Sequence, residues 1–318
     1  MKTDYAVLSL GLVLLSAWGT LPVPARAADP PPPPKRSDVE RVLAVAREHQ
    51  PPQADPRPLQ IVLLADGKDH GPGEHDYPRW QSRWALLLGG AAASAAPAAN
   101  LSGPDRPDPA LAQGAPQVRV GTADQWPSPE QWRTADVVVA FCYVAWTPDR
   151  LAELRRYLQR GGGLVVIHSA TWTEPQPSAD VAALLGVGGF QRWRHGAVGL
   201  ETTQPEHPIC VGLPAELTLI DETYWPPTPP IAADDIQVLA ASREQTEPGQ
   251  AGTSLQPLFW TCRRERGRVF GCVLGHYNWT FDDPYFRLWL LRGIAWAAGE
   301  APSRFDHLAL RSAAVADE

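Results

Sequence analysis

The sequence predicts an α/β fold around a mostly parallel sheet, and three observations carry that reading. Continuous apolar runs, LQIVLLA (59–65), ADVVVAFC (135–142) and GLVVIHSA (163–170), read as strands buried on both faces. Helical segments with clear start and stop signals stand between strands. The links are short, so the strand–helix–strand units predict right-handed crossovers that place helices on both faces of the sheet.

The elements follow in chain order. Ala6 to Leu15 is apolar and Ala25-Arg26-Ala27 is a small-x-small pattern, which together read as a secretory signal peptide over 1–27. The apolar run is too short for a comfortable membrane span, with an uncleaved anchor as the alternative. Residues 28–57 hold the run DPPPPPKR, an extended polyproline tether, and a short helix from Ser37 to His49. The main domain is expected over 58–299. Its first strand (59–65) leads into ADGKDHGPGEHDY (65–77) and a helix from Pro78 to Leu88. Residues 89–116, rich in Ala, Gly and Pro, read as a surface loop, and QVRVG (117–121) as a short strand. In TPDRLAELRRYLQRGGG (147–163), Thr147 caps a helix, Pro148 opens it and glycines end it. SADVAALLG (178–186) is a second capped helix. The β segments AVGLETT, ELTLIDETY and IQVLAASRE follow, then a hairpin over 257–276 that turns near Glu265 to Gly267. A last helix spans Asp283 to Ala298, and 300–318 reads as a tail.

Charge and cysteine content narrow the function classes. The formal net charge is −7 with no basic run, which argues against a nucleic-acid surface. The four cysteines, Cys142, Cys210, Cys262 and Cys272, form no CxxC pair, so zinc-ribbon and thioredoxin motifs are excluded on spacing. Export permits disulfides, and their pairing stays open. Thirteen tryptophans supply both core and amphipathic rings on which sugars stack.

Ligands of parallel α/β sheets bind outside the carboxyl ends of the strands. That rule brings forward His70 and His75 after the first strand, His168 after 163–167, and His276 with Asn278 after the hairpin, together with Glu222 in IDETYW. Neutral imidazoles bind metals, and a histidine near its ordinary pKa moves protons at neutral pH. His168, Glu222 and His276 are the expected catalytic groups, and His70, His168 and His276 the expected ligands of a single divalent metal, zinc or manganese. The expected substrate contacts are Asp66, Lys68, His70, His75, Trp146, Ser169, Tyr224, Trp225, Asn278 and Trp279, with Trp172 as a further wall. Each lone strand-end histidine also has a plain reading as a hydrogen-bonded loop residue. That reading is preferred for His49, His195 and His207, while His307 falls in the tail. Gly67, Gly71 and Gly73 either supply unusual backbone angles or expose amides to a ligand. Asp76 reads as the cap of the helix that follows it. Ser169 lacks a G-x-S-x-G setting, and Cys142 reads as a small buried residue.

The blocks LLADGKDHGPGEHDYP, GGGLVVIHSAT, HPICVGLPAELTLIDETYW and GRVFGCVLGHYNWTFDDPYFRLWLLRGIAWAAG, taken together, resemble the ThuA-like (trehalose utilisation) family over about residues 58 to 299. That resemblance implies a flavodoxin-like, class I glutamine amidotransferase-like three-layer sandwich with a C-terminal β-hairpin plus helix. It also implies a role in disaccharide utilisation through 3-keto-sugar intermediates. The amidotransferase chemistry needs a cysteine on the turn after a central strand, and His168-Ser169 stands there instead, so the thiolate route is not expected. The resulting expectation is an exported periplasmic or secreted protein with a small carbohydrate partner and no stable membrane span. It acts on a disaccharide or 3-keto-glycoside by proton transfer or metal-assisted chemistry. The alternative is a non-catalytic carbohydrate-binding accessory protein.

Overall fold

A computed structural model describes residues 29–51, 55–90, 98–103, 108–173, 178–229, 231–232, 235–245 and 252–316. The expected signal peptide lies outside these residues.

The strands are β1 (Leu59–Ala65), β2 (Val118–Asp124), β3 (Val137–Ala140), β4 (Gly163–Ile167), β5 (Phe190–Thr202), β6 (Glu216–Pro227), β7 (Gln237–Gln245), β8 (Thr253–Arg264) and β9 (Gly267–Cys272). They form one sheet in the order β2-β1-β3-β4-β9-β8-β7-β5-β6. The pairings from β2 through β9 are parallel, and those from β9 through β6 are antiparallel. The sheet is therefore mixed, not mostly parallel. Crossover helices link the strands of the first half, whereas β8 and β9 reverse directly, Arg264 pairing with Gly267.

The helices are α1 (Arg36–His49), α2 (Tyr77–Gly89), α3 (Pro129–Thr134), α4 (Pro148–Gln159), α5 (Ala179–Leu185) and α6 (Pro284–Ala297). Prolines open α2, α3, α4 and α6, and side chains of Asp76, Ser128, Thr147, Ser178 and Asp283 cap α2 to α6. The sandwich can be read on β9. A Cβ on Gly267 would meet Leu158 of α4, whereas Phe270, of opposite parity, fills the space a Cβ on Gly293 of α6 would need. Alternate residues point to opposite faces, so α4 and α6 cover opposite sides of the sheet. Glycine costs a helix interior up to about 1 kcal/mol, and at Gly293 it admits the Phe270 ring. Nearly all of α6 is buried, as expected of a helix apolar all round. Among the described residues no helix is long and apolar enough to cross a membrane.

Three expectations change. The segment after Gly299 is part of the core: Pro302–Leu308 forms a 3-10 turn with Phe305 and Leu308 fully buried. Its Asp306 takes a two-pronged ion pair from Arg292 of α6, both contacts at 2.9 Å. The helix assigned to the tether is also packed, with Val39 fully buried and Lys35 bridged to Ala316. The strand expected from 197 begins at Phe190. All four cysteines are buried and unpaired. Cys262 faces Val269 and Cys272 faces Phe259 across the hairpin, which answers the open pairing question. Burial pushes the thiols of Cys142, Cys210 and Cys262 up to about 12, where they are poor nucleophiles.

β5 and β6 form a long ribbon that joins β7 only through Glu201↔Ala241 and Thr202↔Ala240. The remainder of the ribbon is available to reach the carboxyl ends of β4 and β9.

Arg292→Ala leaves Asp306 buried without its partner. It is expected to lower stability by about 3–5 kcal/mol in urea unfolding. A loss under about 1 kcal/mol would show that the C-terminal segment does not anchor the core.

Candidate metal centre

Four side chains converge beyond the carboxyl ends of β1, β4 and β9. Ligand atoms of His75, His168, Glu222 and His276, all buried, lie within 4.8 Å of one another. Three of them come from strand-end loops and Glu222 from the middle of β6.

Each loop has a local cause. His75 has φ 40° and His168 φ 49°, left-handed backbone that side chains other than glycine rarely adopt. His168 sits in the turn directly after β4, which aims its ring off the strand end. His75 is fixed by its own amide, which donates to the His276 carbonyl at 3.0 Å, and by the amide of Asn278 donating to Gly73 at 2.8 Å. Gly275 has φ 129°, and a Cβ there would press on Ile167 and Phe281 at 3.2 Å. Glycine thus lets the chain turn into His276 directly against β4.

The ribbon is tied to this corner by Asp221. Its carboxylate accepts the amides of Glu222 at 2.6 Å, His276 at 2.9 Å and Gly275 at 3.0 Å. Burial pushes its pKa up, opposed by the charge of His168.

Partners assign the tautomers. His168 Nδ1 lies 2.7 Å from the Val273 carbonyl, so it carries the proton and Nε2 keeps a lone pair. His75 Nδ1 lies 3.0 Å from an Asp69 carboxylate oxygen, and the Tyr77 hydroxyl donates to the other oxygen at 3.0 Å. The Tyr77 hydroxyl also lies 2.8 Å from His75 Nδ1; with its single proton given to Asp69, His75 Nδ1 is the donor and its Nε2 is bare. The two bare Nε2 atoms face each other at 2.9 Å. Glu222 Oε2 is 3.2 Å from His168 Nε2 and 3.0 Å from His276 Nδ1. His276 Nδ1 is buried and lacks hydrogen-bond alignment with any partner. The Tyr224 hydroxyl brings a proton to this point, 2.8 Å from His168 Nε2 and 3.2 Å from Glu222 Oε2.

Electron-rich atoms packed this closely repel unless a cation lies among them. The charge balance agrees. Burial and the neighbouring histidines hold the His75 pKa well below its ordinary value, keeping the ring neutral. Burial opposes ionisation of Glu222, but its close contacts with His168 and His276 outweigh it, holding the carboxyl well below its usual range. Neutral imidazoles and one carboxylate are the donors zinc accepts, and the Asp69–His75 and Val273–His168 contacts are the outer hydrogen bonds that fix metal-bound histidines. The residues present fit a divalent cation.

His70 lies outside this cluster, in a second, more exposed group with Asp69 and His75 whose ligand atoms also lie within 4.8 Å of one another. Its Nδ1 contacts Asp69 at 2.8 Å, its side chain is partly exposed, and His75 takes the place predicted for it. Ser169 contacts the Tyr77 hydroxyl at 2.8 Å, behind His75. Tyr224 stacks on His168, with Trp172 against its ring at 4.9 Å. Asn278 is buried next to the loop of His276. Asp66 accepts its neighbour's amide and a weak contact from Gln125, and Lys68 donates to the Glu74 carbonyl. Three expected walls do structural work instead. Trp146 packs beside Trp126, Trp225 donates to Gln245, and Trp279 donates to Ile220.

The plain reading of His195 is corrected. Its Nε2 lies 3.7 Å from Glu222 Oε1, its ring lies 4.6 Å from that of His276, and Nδ1 contacts the Tyr277 hydroxyl at 3.1 Å. Burial lowers its pKa, so the ring is neutral at pH 7. Asp69, Tyr77 and Asp221 were missed as well. The alternation in FQRWRHGAV was the available signal for His195, because it marks a strand that pairs His195 with Glu222.

Asp221→Asn replaces one acceptor oxygen with a donor facing backbone amides. It is expected to cost about 1–3 kcal/mol in urea unfolding and to loosen His276 enough to abolish stoichiometric zinc binding. Unchanged zinc content would show that the ribbon does not hold the centre.

Residues 110–297 match the family model described as ThuA, trehalose utilisation. No curated protein matches the chain. Among solved structures, a ThuA-like protein from Bacteroides uniformis is 18% identical with a TM-score of 0.56, covering 80% of this chain and 98% of its own. One from Parabacteroides merdae is 19% identical with a TM-score of 0.52, covering 77% and 91%. These two likenesses speak for the fold. The matched span takes in β2 to β9, all of α6, and three of the four converging side chains, while the His75 loop precedes it. The chain belongs to the ThuA family, which is described by trehalose utilisation.

Proposed function

We propose that this protein is an exported enzyme acting on a disaccharide or 3-keto-glycoside with the help of one divalent ion, zinc or manganese. His75, His168, Glu222 and His276 would hold that ion. The observation that carries this reading is the convergence of bare Nε2 atoms of His75 and His168 on Glu222 Oε2 and the orphaned His276 Nδ1. A divalent ion there would supply Lewis acidity toward a sugar carbonyl or hydroxyl and acidify a bound water. The apolar run from Ala6 to Leu15 followed by Ala25-Arg26-Ala27 supports export. The absence of cysteine at His168-Ser169 speaks against glutamine hydrolysis.

The chain's own residues divide the remaining work. His195 is neutral, partly exposed and next to Glu222, so it is the group placed to take a proton from carbon or oxygen beside a ketone. Glu222, ionised, balances cationic charge and is too weak a base for that task. The Tyr224 hydroxyl can donate toward developing negative charge, its own ionisation suppressed by burial. This reassigns His168, Glu222 and His276 from proton transfer to holding the ion.

The test is turnover of trehalose and of its 3-keto derivative by protein loaded with zinc or manganese, followed by product chromatography. Turnover is expected to vanish on chelation, return with metal, and be lost in His168→Ala. His195→Gln is expected to keep its metal and lose about 10²–10⁴ in kcat. Turnover that survives both chelation and His168→Ala would refute the reading. Sugar binding without turnover would favour the accessory-protein alternative.

A further inference from the structure

Among the described residues three large apolar side chains are exposed: Tyr143, Trp193 and Leu255. Single exposed apolar residues are ordinary on protein surfaces. Two of these three, however, stand beside the buried centre. Tyr143 lies 6.1 Å from the ring of His75, and Trp193 lies 5.3 Å from the ring of His195. The rings form an unbroken row, with His75 to His276 at 4.5 Å and His276 to His195 at 4.6 Å. Trp193 ends that row, and it is the most exposed of the three at 56%.

The register explains why Trp193 points this way. In the β5–β6 ribbon His195 pairs with Glu222 and Trp193 pairs with Tyr224. Cross-strand partners share a face, so Trp193 lies on the face that presents Glu222 and Tyr224 to the centre. The neighbour of opposite parity, Arg194, is locked to Glu244 by contacts of 2.7 and 2.8 Å on the other face. The ribbon is paired without interruption from Arg192↔Trp225 to Glu201↔Glu216, so the indole is carried by a rigid element, not a loop. A rigid, exposed indole at the rim of a polar site offers ring surface to a ligand. Its chemistry fits the apolar C–H face of a pyranose ring.

We propose that Trp193 is the stacking platform for the second, non-reacting ring of a disaccharide whose first ring lies at the His75–His168–Glu222–His276 centre. The assignment deepens the carbohydrate reading above and rests on it. It makes Trp193 a specificity residue that separates disaccharides from monosaccharides. It also replaces Trp146, Trp225 and Trp279, which the sequence suggested as walls and the fold uses internally.

The test is calorimetric titration of the zinc-loaded full chain with trehalose and with glucose, for wild type, Trp193→Ala and Trp193→Phe. The side chain is exposed, so neither variant removes core packing. Trp193→Ala is expected to weaken trehalose binding by about tenfold, the scale of one aromatic contact, and to leave glucose affinity and zinc content unchanged. Trp193→Phe is expected to recover most of the loss. Trehalose affinity unchanged in Trp193→Ala, equal weakening for glucose, or no recovery with Phe would each overturn the subsite while leaving the carbohydrate reading intact. Wild-type protein that binds zinc but neither sugar would overturn the carbohydrate reading and the subsite together.

Discussion

One buried carboxylate holds the centre together. Asp221 has no exposure and gathers three amides, its own neighbour's and those of Gly275 and His276. Those amides belong to two separate elements, a strand of the ribbon and the loop beyond β9. Without this contact the ribbon would keep its attachments to β7, at Glu201, Thr202, Arg194 and Trp225, and lose its carboxylate clamp on the loop beyond β9. Glu222, Tyr224, His195 and Trp193 all ride on the ribbon, so their placement over the histidines depends on that clamp, seconded by the Trp279–Ile220 and Tyr277–His195 contacts.

The histidines are held at a backbone cost. His75 and His168 both occupy left-handed φ, a conformation worth of the order of 1–3 kcal/mol against folding at each position. Strain of this kind persists where the surroundings over-determine it. Here the His75 amide, the Asn278 amide and the His168–Val273 contact do so. Two lone pairs brought face to face add a further penalty that a cation would relieve. The apo centre is thus expected to be less stable than the loaded one, and ion binding couples to folding through the same residues.

Much of the fold could be read from local signals. Continuous apolar runs marked β1, β3 and β4, and cap–proline pairs marked α4 and α6. The strand-end rule anticipated that His168 and His276 lie together because both are local consequences of a parallel strand ending. His75, not His70, turns into the four-residue cluster, since which residue of a glycine-rich loop turns inward depends on the Gly73–Asn278 contact, a pairing across 205 positions no local pattern reveals. The ribbon was harder still. Its strand begins at Phe190, and without that start His195 looked like a loop histidine and Trp193 had no face. Asp221 reads as a polar strand residue until the loop it captures is known. The packed segment after Gly299 was illegible because its anchor, Asp306, finds Arg292 only in three dimensions.

The central claim is that four side chains from separate elements hold one divalent ion. The most direct measurement is elemental mass spectrometry of protein purified without chelator and of protein reloaded with zinc or manganese, compared with His75→Ala, His70→Ala and Glu222→Gln. About one ion per chain is predicted for wild type and for His70→Ala, with loss of the ion in His75→Ala and Glu222→Gln. Wild-type protein that takes up neither metal, or a metal lost with His70 and kept without His75, would contradict the account.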